Sequence, residues 1–88
     1  NNACISMFYG IMIYMYNNGK EHNPPHFHVK YNGEFSVFDF EGNLIEGDLP
    51  FAKQKLVTAW AEIHKEELQA NWELCLNRDT LFKINPLQ

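Results

Sequence analysis

The sequence predicts a small α+β domain, in which an antiparallel β-meander of about four strands carries a C-terminal long helix or helical hairpin on one face. The main observation is a change of period: apolar residues alternate in steps of two up to Glu46 and recur in steps of three and four after Pro50. Two turn signals, Asn32-Gly33 and Glu41-Gly42-Asn43, divide the first part. We expect a single domain spanning residues 1–88, with residues 1–4 disordered or foreign to the natural chain.

The first predicted strand region, residues 5–16, is rich in β-branched and aromatic residues and apolar on both faces. This pattern is typical of a strand that is covered on both sides. Gly10 in its middle indicates a bulge or a bend between two short strands. Asn17-Asn18-Gly19-Lys20 then ends the region as a turn.

A histidine-containing strand is predicted over residues 25–31, followed by Asn32-Gly33, the residue pair that a two-residue type I′ hairpin turn prefers. Residues 34–40 form the return strand, and residues 44–46 a short strand after the second turn. The apolar side chains of this meander are expected on the helix-facing side of the sheet; they are Phe27, Val29, Tyr31, Phe38 and Phe40.

A helical stripe follows over residues 51–77, with Pro50 suited to the first turn of the helix. Its members recur three and four residues apart: Leu56, Trp60, Ile63, His64, Leu68, Trp72 and Cys75 or Leu76. One helix of this length would be about twice the average, so a single helix and a break near His64 both remain open. Glu67 lies three residues after His64, the spacing of an ordinary helix pair.

Composition excludes several classes of function. A net charge of −4 argues against a broad nucleic-acid surface. The apolar run at residues 5–16 is too short to span a membrane. Cys4 and Cys75 fit neither a metal-binding spacing nor a disulfide framework, so we expect reduced thiols in the cytoplasm.

Three of the four histidines, His22, His26 and His28, lie within seven residues. His26 and His28 are two apart on the predicted strand and share a face. A two-residue turn at Asn32-Gly33 places His26 opposite Asp39. If Gly42-Asn43 is also a two-residue loop, Asp39 lies opposite Glu46. The candidate functional cluster is therefore His22, His26, His28, Asp39 and Glu46.

Three interpretations of this cluster remain open. His26, His28 and Asp39 have the donor types of a divalent transition-metal site. Asp39 could instead orient His26 as a general base. The histidines could also be structural, donating hydrogen bonds to loop carbonyls and to Asp39. The principal expectation is that the protein needs no cofactor.

Trp60, His64 and Trp72 are candidate interface residues, and the high aromatic content suggests self-association, with a homodimer as the simplest form.

Five motifs together resemble a family of small bacterial proteins that is catalogued only as a domain of unknown function. They are Phe8-Tyr9-Gly10-Ile11, His22-Asn23-Pro24-Pro25-His26-Phe27-His28, Glu46-Gly47-Asp48-Leu49-Pro50, the segment from Trp60 to Leu68, and Ile84-Asn85-Pro86-Leu87. The resemblance implies a compact bacterial cytosolic protein from a family whose genes often lie beside that of another small protein, an arrangement similar to that of toxin–antitoxin pairs. It implies no established activity. Glu21 stands where such sequences usually carry Asp.

Two functions are therefore weighed. The first is a protein-interaction module, one half of a two-gene pair, that binds the product of a neighbouring gene. The alternative is a small metal- or His-dependent enzyme that uses the His-rich strand. The acidic charge, the small size and the missing nucleophile favour the first.

Overall fold

The computed structural model describes residues 3–16 and 24–88 and shows an antiparallel five-stranded sheet followed by two helices. The strands lie side by side in chain order: β1 (Ala3–Phe8), β2 (Ile11–Met15), β3 (His26–Tyr31), β4 (Glu34–Asp39) and β5 (Leu44–Gly47). The helices are α1 (Phe51–Ile63) and α2 (Lys65–Leu76). The predicted α+β class is confirmed, and the meander has five strands rather than about four. In the described part of the chain, neither helix has the length and apolar character needed to cross a membrane.

The additional strand arises at Gly10, where the chain makes a full hairpin turn. Tyr9 and Gly10 have φ values of 51° and 78°, and Phe8 pairs with Ile11 across the turn. The predicted bend between two short strands is therefore confirmed. The strand β1 begins at Ala3, so Ala3 and Cys4 belong to the sheet. The turn predicted at residues 17–20 lies outside the described residues.

The hairpin between β3 and β4 has the predicted register. Asn32 and Gly33 have φ values of 50° and 79°, which a type I′ turn requires and which glycine adopts without steric cost. Tyr31 therefore pairs with Glu34, and the pairing continues to His26 and Asp39 at the other end of the strands.

The hairpin between β4 and β5 differs from the prediction. The Gly42 N–H donates to the Asp39 carbonyl over 3.1 Å, and the Asp39 N–H donates to the Asn43 carbonyl over 3.0 Å. Gly42 has a φ of 85°, so the loop is a type I turn followed by a left-handed residue, not a two-residue loop. A register irregularity follows between Val37 and Phe38. As a result, Glu46 pairs with Val37, and its predicted pairing with Asp39 is wrong.

The hydrophobic core lies between the sheet and the helices, on the predicted face. Phe27, Val29 and Phe38 are fully buried, and Phe40 is nearly so. Trp60 of α1 is fully buried as well, with its ring centroid 5.7 Å from that of Phe27. The apolar side chains of β3 and β4 therefore pack against the apolar side chains of the helical stripe, as expected.

The C-terminal stripe forms two helices that meet at His64. This residue has φ −111° and ψ 25°, outside regular helix geometry, although its N–H still donates to the Trp60 carbonyl over 3.0 Å. The Leu68 N–H donates in turn to the His64 carbonyl over 2.9 Å. The structure thus decides between the two alternatives in favour of a break at His64.

The C-terminal segment, residues 79–88, lies beside β1. The buried Asn71 side chain donates to the Phe82 carbonyl over 2.8 Å and accepts from the Phe82 N–H over 3.0 Å. The Ile84 N–H donates to the Ile5 carbonyl over 2.8 Å. The segment forms no regular strand, but it lies along the outer edge of β1.

Candidate functional site

The structure brings His26 and His28 together at the start of β3. Both imidazoles are buried, with exposed fractions of 2% and 7%. Their ring centroids lie 5.3 Å apart in an edge-to-face arrangement. The predicted pairing of His26 with Asp39 is confirmed at the level of the backbone register.

His26 is held by the loop that precedes β3. Its Nδ1 lies 2.9 Å from the Pro24 carbonyl oxygen, which can only accept, so Nδ1 carries a proton and donates to it. On the other side, the ring lies 5.2 Å from that of Trp72 in α2, which also contacts Phe40. His26 thus ties the end of the sheet to α2, as in the structural interpretation.

His28 lies in an apolar environment. Its ring stacks on that of Tyr16, with centroids 3.9 Å apart and planes 7° apart. Its Nε2 is buried and has no hydrogen-bond partner in the described part of the chain. Burial, together with the nearby His26, lowers the pKa of His28 to about 4, although Glu46 acts in the opposite direction. His28 is therefore neutral at physiological pH.

Asp39 serves the turn after β4 and makes no ion pair with His26. Its Oδ1 accepts a hydrogen bond from the Asn43 N–H over 2.8 Å, and its Oδ2 accepts one from Asn43 Nδ2 over 3.1 Å. The general-base arrangement of Asp39 and His26 is therefore not formed. Glu46 is exposed and pairs with Val37 in the row of His28, two residues along β4 from its predicted partner Asp39.

The predicted metal set is not assembled among the residues that the structure describes. No group of three histidine, cysteine or acidic side chains there is placed to hold a metal ion. Asp39 in particular is already engaged by Asn43. His22, the fifth member of the candidate cluster, lies outside the described residues.

The three candidate interface residues are largely internal. Trp60 is fully buried and donates from Nε1 to the Asn85 carbonyl over 2.9 Å, and Trp72 is 8% exposed. Both indoles belong to the core of the single chain, and an interface role for the three residues stays a prediction. His64 lies at the helix break, where Nδ1 contacts Glu67 Oε1 at 2.5 Å. This is the predicted i, i+3 pair.

A second surface was not anticipated from the sequence: the sheet face opposite the helices, here called the open face. Two neighbouring rows of paired residues form it; one contains Met7, Met12, Lys30 and Phe35, and the other contains Cys4, Tyr14, His28, Val37 and Glu46. The helices pack on the other face, and α2 reaches only the end of this one, at His26.

Two apolar side chains of the open face are well exposed, and most of its other residues are half-buried. Met7 and Phe35 are 58% and 53% exposed. The Tyr14 ring lies 6.4 Å from that of Phe35, and its hydroxyl contacts Met12 Sδ at 3.8 Å. The Lys30 ammonium lies 5.6 Å from the Phe35 ring centroid. In the sequence, Met12 and Tyr14 alternate with Ile11 and Ile13. Because alternate residues of a strand point to opposite faces, this pattern could have predicted a second face that carries Met12 and Tyr14.

These features define a small α+β domain with a buried histidine pair at one end of its sheet and a partly apolar sheet face on which the helices do not pack. The chain belongs to the DUF4160 family, a domain of unknown function, whose family model matches residues 10–73. Comparison with curated proteins and with solved structures gives no significant match.

Proposed function

We propose that this protein is an interaction module that binds a protein partner through the open face. The observation that carries the proposal is the exposure of Met7 and Phe35 on a sheet face that the helices leave uncovered. Methionine adapts its shape to a partner, and aromatic side chains contribute much of the binding energy at interfaces. Half-buried Met12, Tyr14 and Val37 extend the apolar surface between them.

The edges of the sheet are less suited to binding than its face. Residues 79–88 cover β1, where the Ile84 N–H is bonded to the Ile5 carbonyl. The other edge strand, β5, has four residues, and the register irregularity between Val37 and Phe38 lies beside it. Short, irregular edge strands resist the addition of a further strand. The face is therefore the better docking surface.

The chemistry of the open face defines the partner that it fits. Lys30 stands in the same row as Phe35, with Tyr14 beside them, so it supplies a positive charge within an apolar surface. A complementary partner presents an apolar patch with an acidic side chain opposite Lys30. Glu46, at the β5 end of the face, adds a negative charge at the rim.

We further propose that the partner is encoded by a neighbouring gene and that the two proteins meet in the bacterial cytoplasm. Support comes from the resemblance to a family whose genes occur beside that of a second small protein. The toxin–antitoxin-like relationship remains a prediction on the same basis.

Calorimetric titration with the purified neighbouring gene product tests this proposal. Phe35→Ala should weaken binding by about 10-fold or more, since it removes the exposed aromatic ring of this face. Phe51→Ala is the matched control, because Phe51 is the more exposed of the two, at 71%, and lies on α1. It should change the affinity by less than about 2-fold. Equal binding by wild type and Phe35→Ala would exclude the open face.

A second candidate function, a metal- or His-dependent enzyme, is favoured by one observation: the buried Nε2 of His28 has no hydrogen-bond partner among the residues that the structure describes. An imidazole that is neutral at pH 7 is a competent metal ligand. Elemental analysis of the untagged protein tests this candidate. A bound stoichiometric metal that is lost in both His28→Gln and His26→Gln, but not in His64→Gln, would favour the enzyme.

A further inference from the structure

We propose that α1 also pairs with α1 of a second copy of this chain, antiparallel across a two-fold axis. The surface is the solvent-facing side of α1, here called the outer stripe. All of its residues are exposed: Phe51, Ala52, Lys55, Ala59, Glu62 and Ile63. This surface lies on the opposite side of the molecule from the open face, so one chain can use both.

The two ends of the outer stripe are apolar and complementary by symmetry. Phe51 is 71% exposed and Ile63 is 64% exposed. They lie about 18 Å apart along the helix and about 120° apart around it, on opposite flanks. A two-fold rotation about an axis between two antiparallel helices exchanges their ends but leaves each flank on its own side. When the helices cross at about −50°, the commonest packing angle, Phe51 of each copy lies beside Ile63 of the other, and the assembly closes as a dimer.

A groove at the helix break provides room for the Phe51 ring. Ile63 forms part of its wall, and the groove has a volume of about 600 Å³; its other lining residues are Glu62, Lys65, Glu66, Glu67 and Gln69. The groove spans the junction of α1 and α2, where His64 departs from helix geometry. It lies at the end of α1 where the antiparallel arrangement delivers the aromatic ring.

Charge complementarity also selects a second copy as the occupant. Lys55 and Glu62 are two turns apart on the outer stripe. In the antiparallel pair, Lys55 of one copy lies beside Glu62 of the other, which gives two symmetric ion pairs. Ala52 and Ala59 are small residues about one turn before and one turn after Lys55 on the same stripe, and they allow the two helices to approach closely.

Sedimentation velocity over a concentration series tests the pairing. Wild type should show a reversible monomer–dimer equilibrium. Lys55→Glu and Glu62→Lys should each weaken dimerisation by about 10-fold or more, because each places like charges together. The double variant should recover to within about 3-fold of wild type, since the swap restores opposite charges. Lys30→Glu, which makes the same change of charge on the open face, should leave the dimer unchanged.

All these positions except Lys30, which is half-buried, are exposed, and thermal unfolding of each variant confirms that it folds. A wild-type monomer at about 1 mM would overturn the proposal, because a pair of this size should form in that range. Failure of the charge swap to restore dimerisation would overturn it too. A dimer that is weakened by Phe35→Ala and insensitive to Phe51→Ala would also overturn the proposal, because that dimer would form through the open face.

Discussion

The imidazole of His28 lies flat against the ring of Tyr16, with the two centroids 3.9 Å apart. This contact helps to enclose a histidine whose Nε2 has no hydrogen-bond partner in the described part of the chain. Burial also raises the pKa of Tyr16, so both rings are uncharged at neutral pH. The end of the sheet at which the sequence predicted a polar cluster is therefore a neutral aromatic stack.

Stability should fall in acid because of His28. The pKa of His28 is lowered from 6.5 to about 4 in the folded state. Well above pH 6.5 the ring is neutral in both the folded and the unfolded chain, so its titration does not reduce the free energy of unfolding there. As the pH falls from 6.5 towards about 4, the unfolded chain binds a proton that the folded chain excludes. The free energy of unfolding should decrease by roughly 2–3 kcal/mol over this range.

Urea unfolding of wild type and His28→Phe at pH 7 and pH 4 measures this effect. Phenylalanine keeps a ring against Tyr16 and removes the titration, so the carboxylates contribute equally to both proteins. Wild type should lose about 2–3 kcal/mol more than the variant. An identical loss in the two proteins would mean that His28 is accessible to protons in the folded state.

The loop between β4 and β5 should tolerate change less than the loop between β3 and β4. Gly33→Ala and Gly42→Ala both place a side chain at positive φ. A Cβ at Gly33 meets no atom within 4 Å, whereas one at Gly42 would lie 2.8 Å from Thr58 Cγ2 and 3.0 Å from Thr58 Cα. Gly33→Ala should therefore cost about 1 kcal/mol, and Gly42→Ala at least about 1 kcal/mol more. Equal losses in thermal or urea unfolding would contradict this close contact with α1.

Local turn chemistry explains which parts of the sheet could be predicted. Asn32-Gly33 can hold two successive positive φ values, so the turn fixed the pairing of His26 with Asp39. Gly42 also has a positive φ, but two loop lengths are compatible with it. The structure shows the longer one, in which the Asp39 side chain binds Asn43. The position of Asp39 was therefore predictable, and its role was not.

Tertiary contacts account for the other differences. Tyr9 adopts a positive φ, which the sequence does not favour for tyrosine, so the first hairpin was seen only as a bend at Gly10. The helical stripe identified Trp60 and Trp72 but could not separate core from interface positions. Their burial depends on Phe27, Phe40 and the C-terminal segment, which come from distant parts of the chain.

The three methionines offer the most direct test of binding through the open face. Met7 is 58% exposed and Met12 is half-buried on that face, whereas Met15 is fully buried in the core. The account predicts that, in NMR spectra of methyl-¹³C-methionine protein, the neighbouring gene product shifts the Met7 and Met12 signals and leaves Met15 unchanged. Binding that leaves Met7 and Met12 unshifted, or no binding of that protein at all, would contradict it.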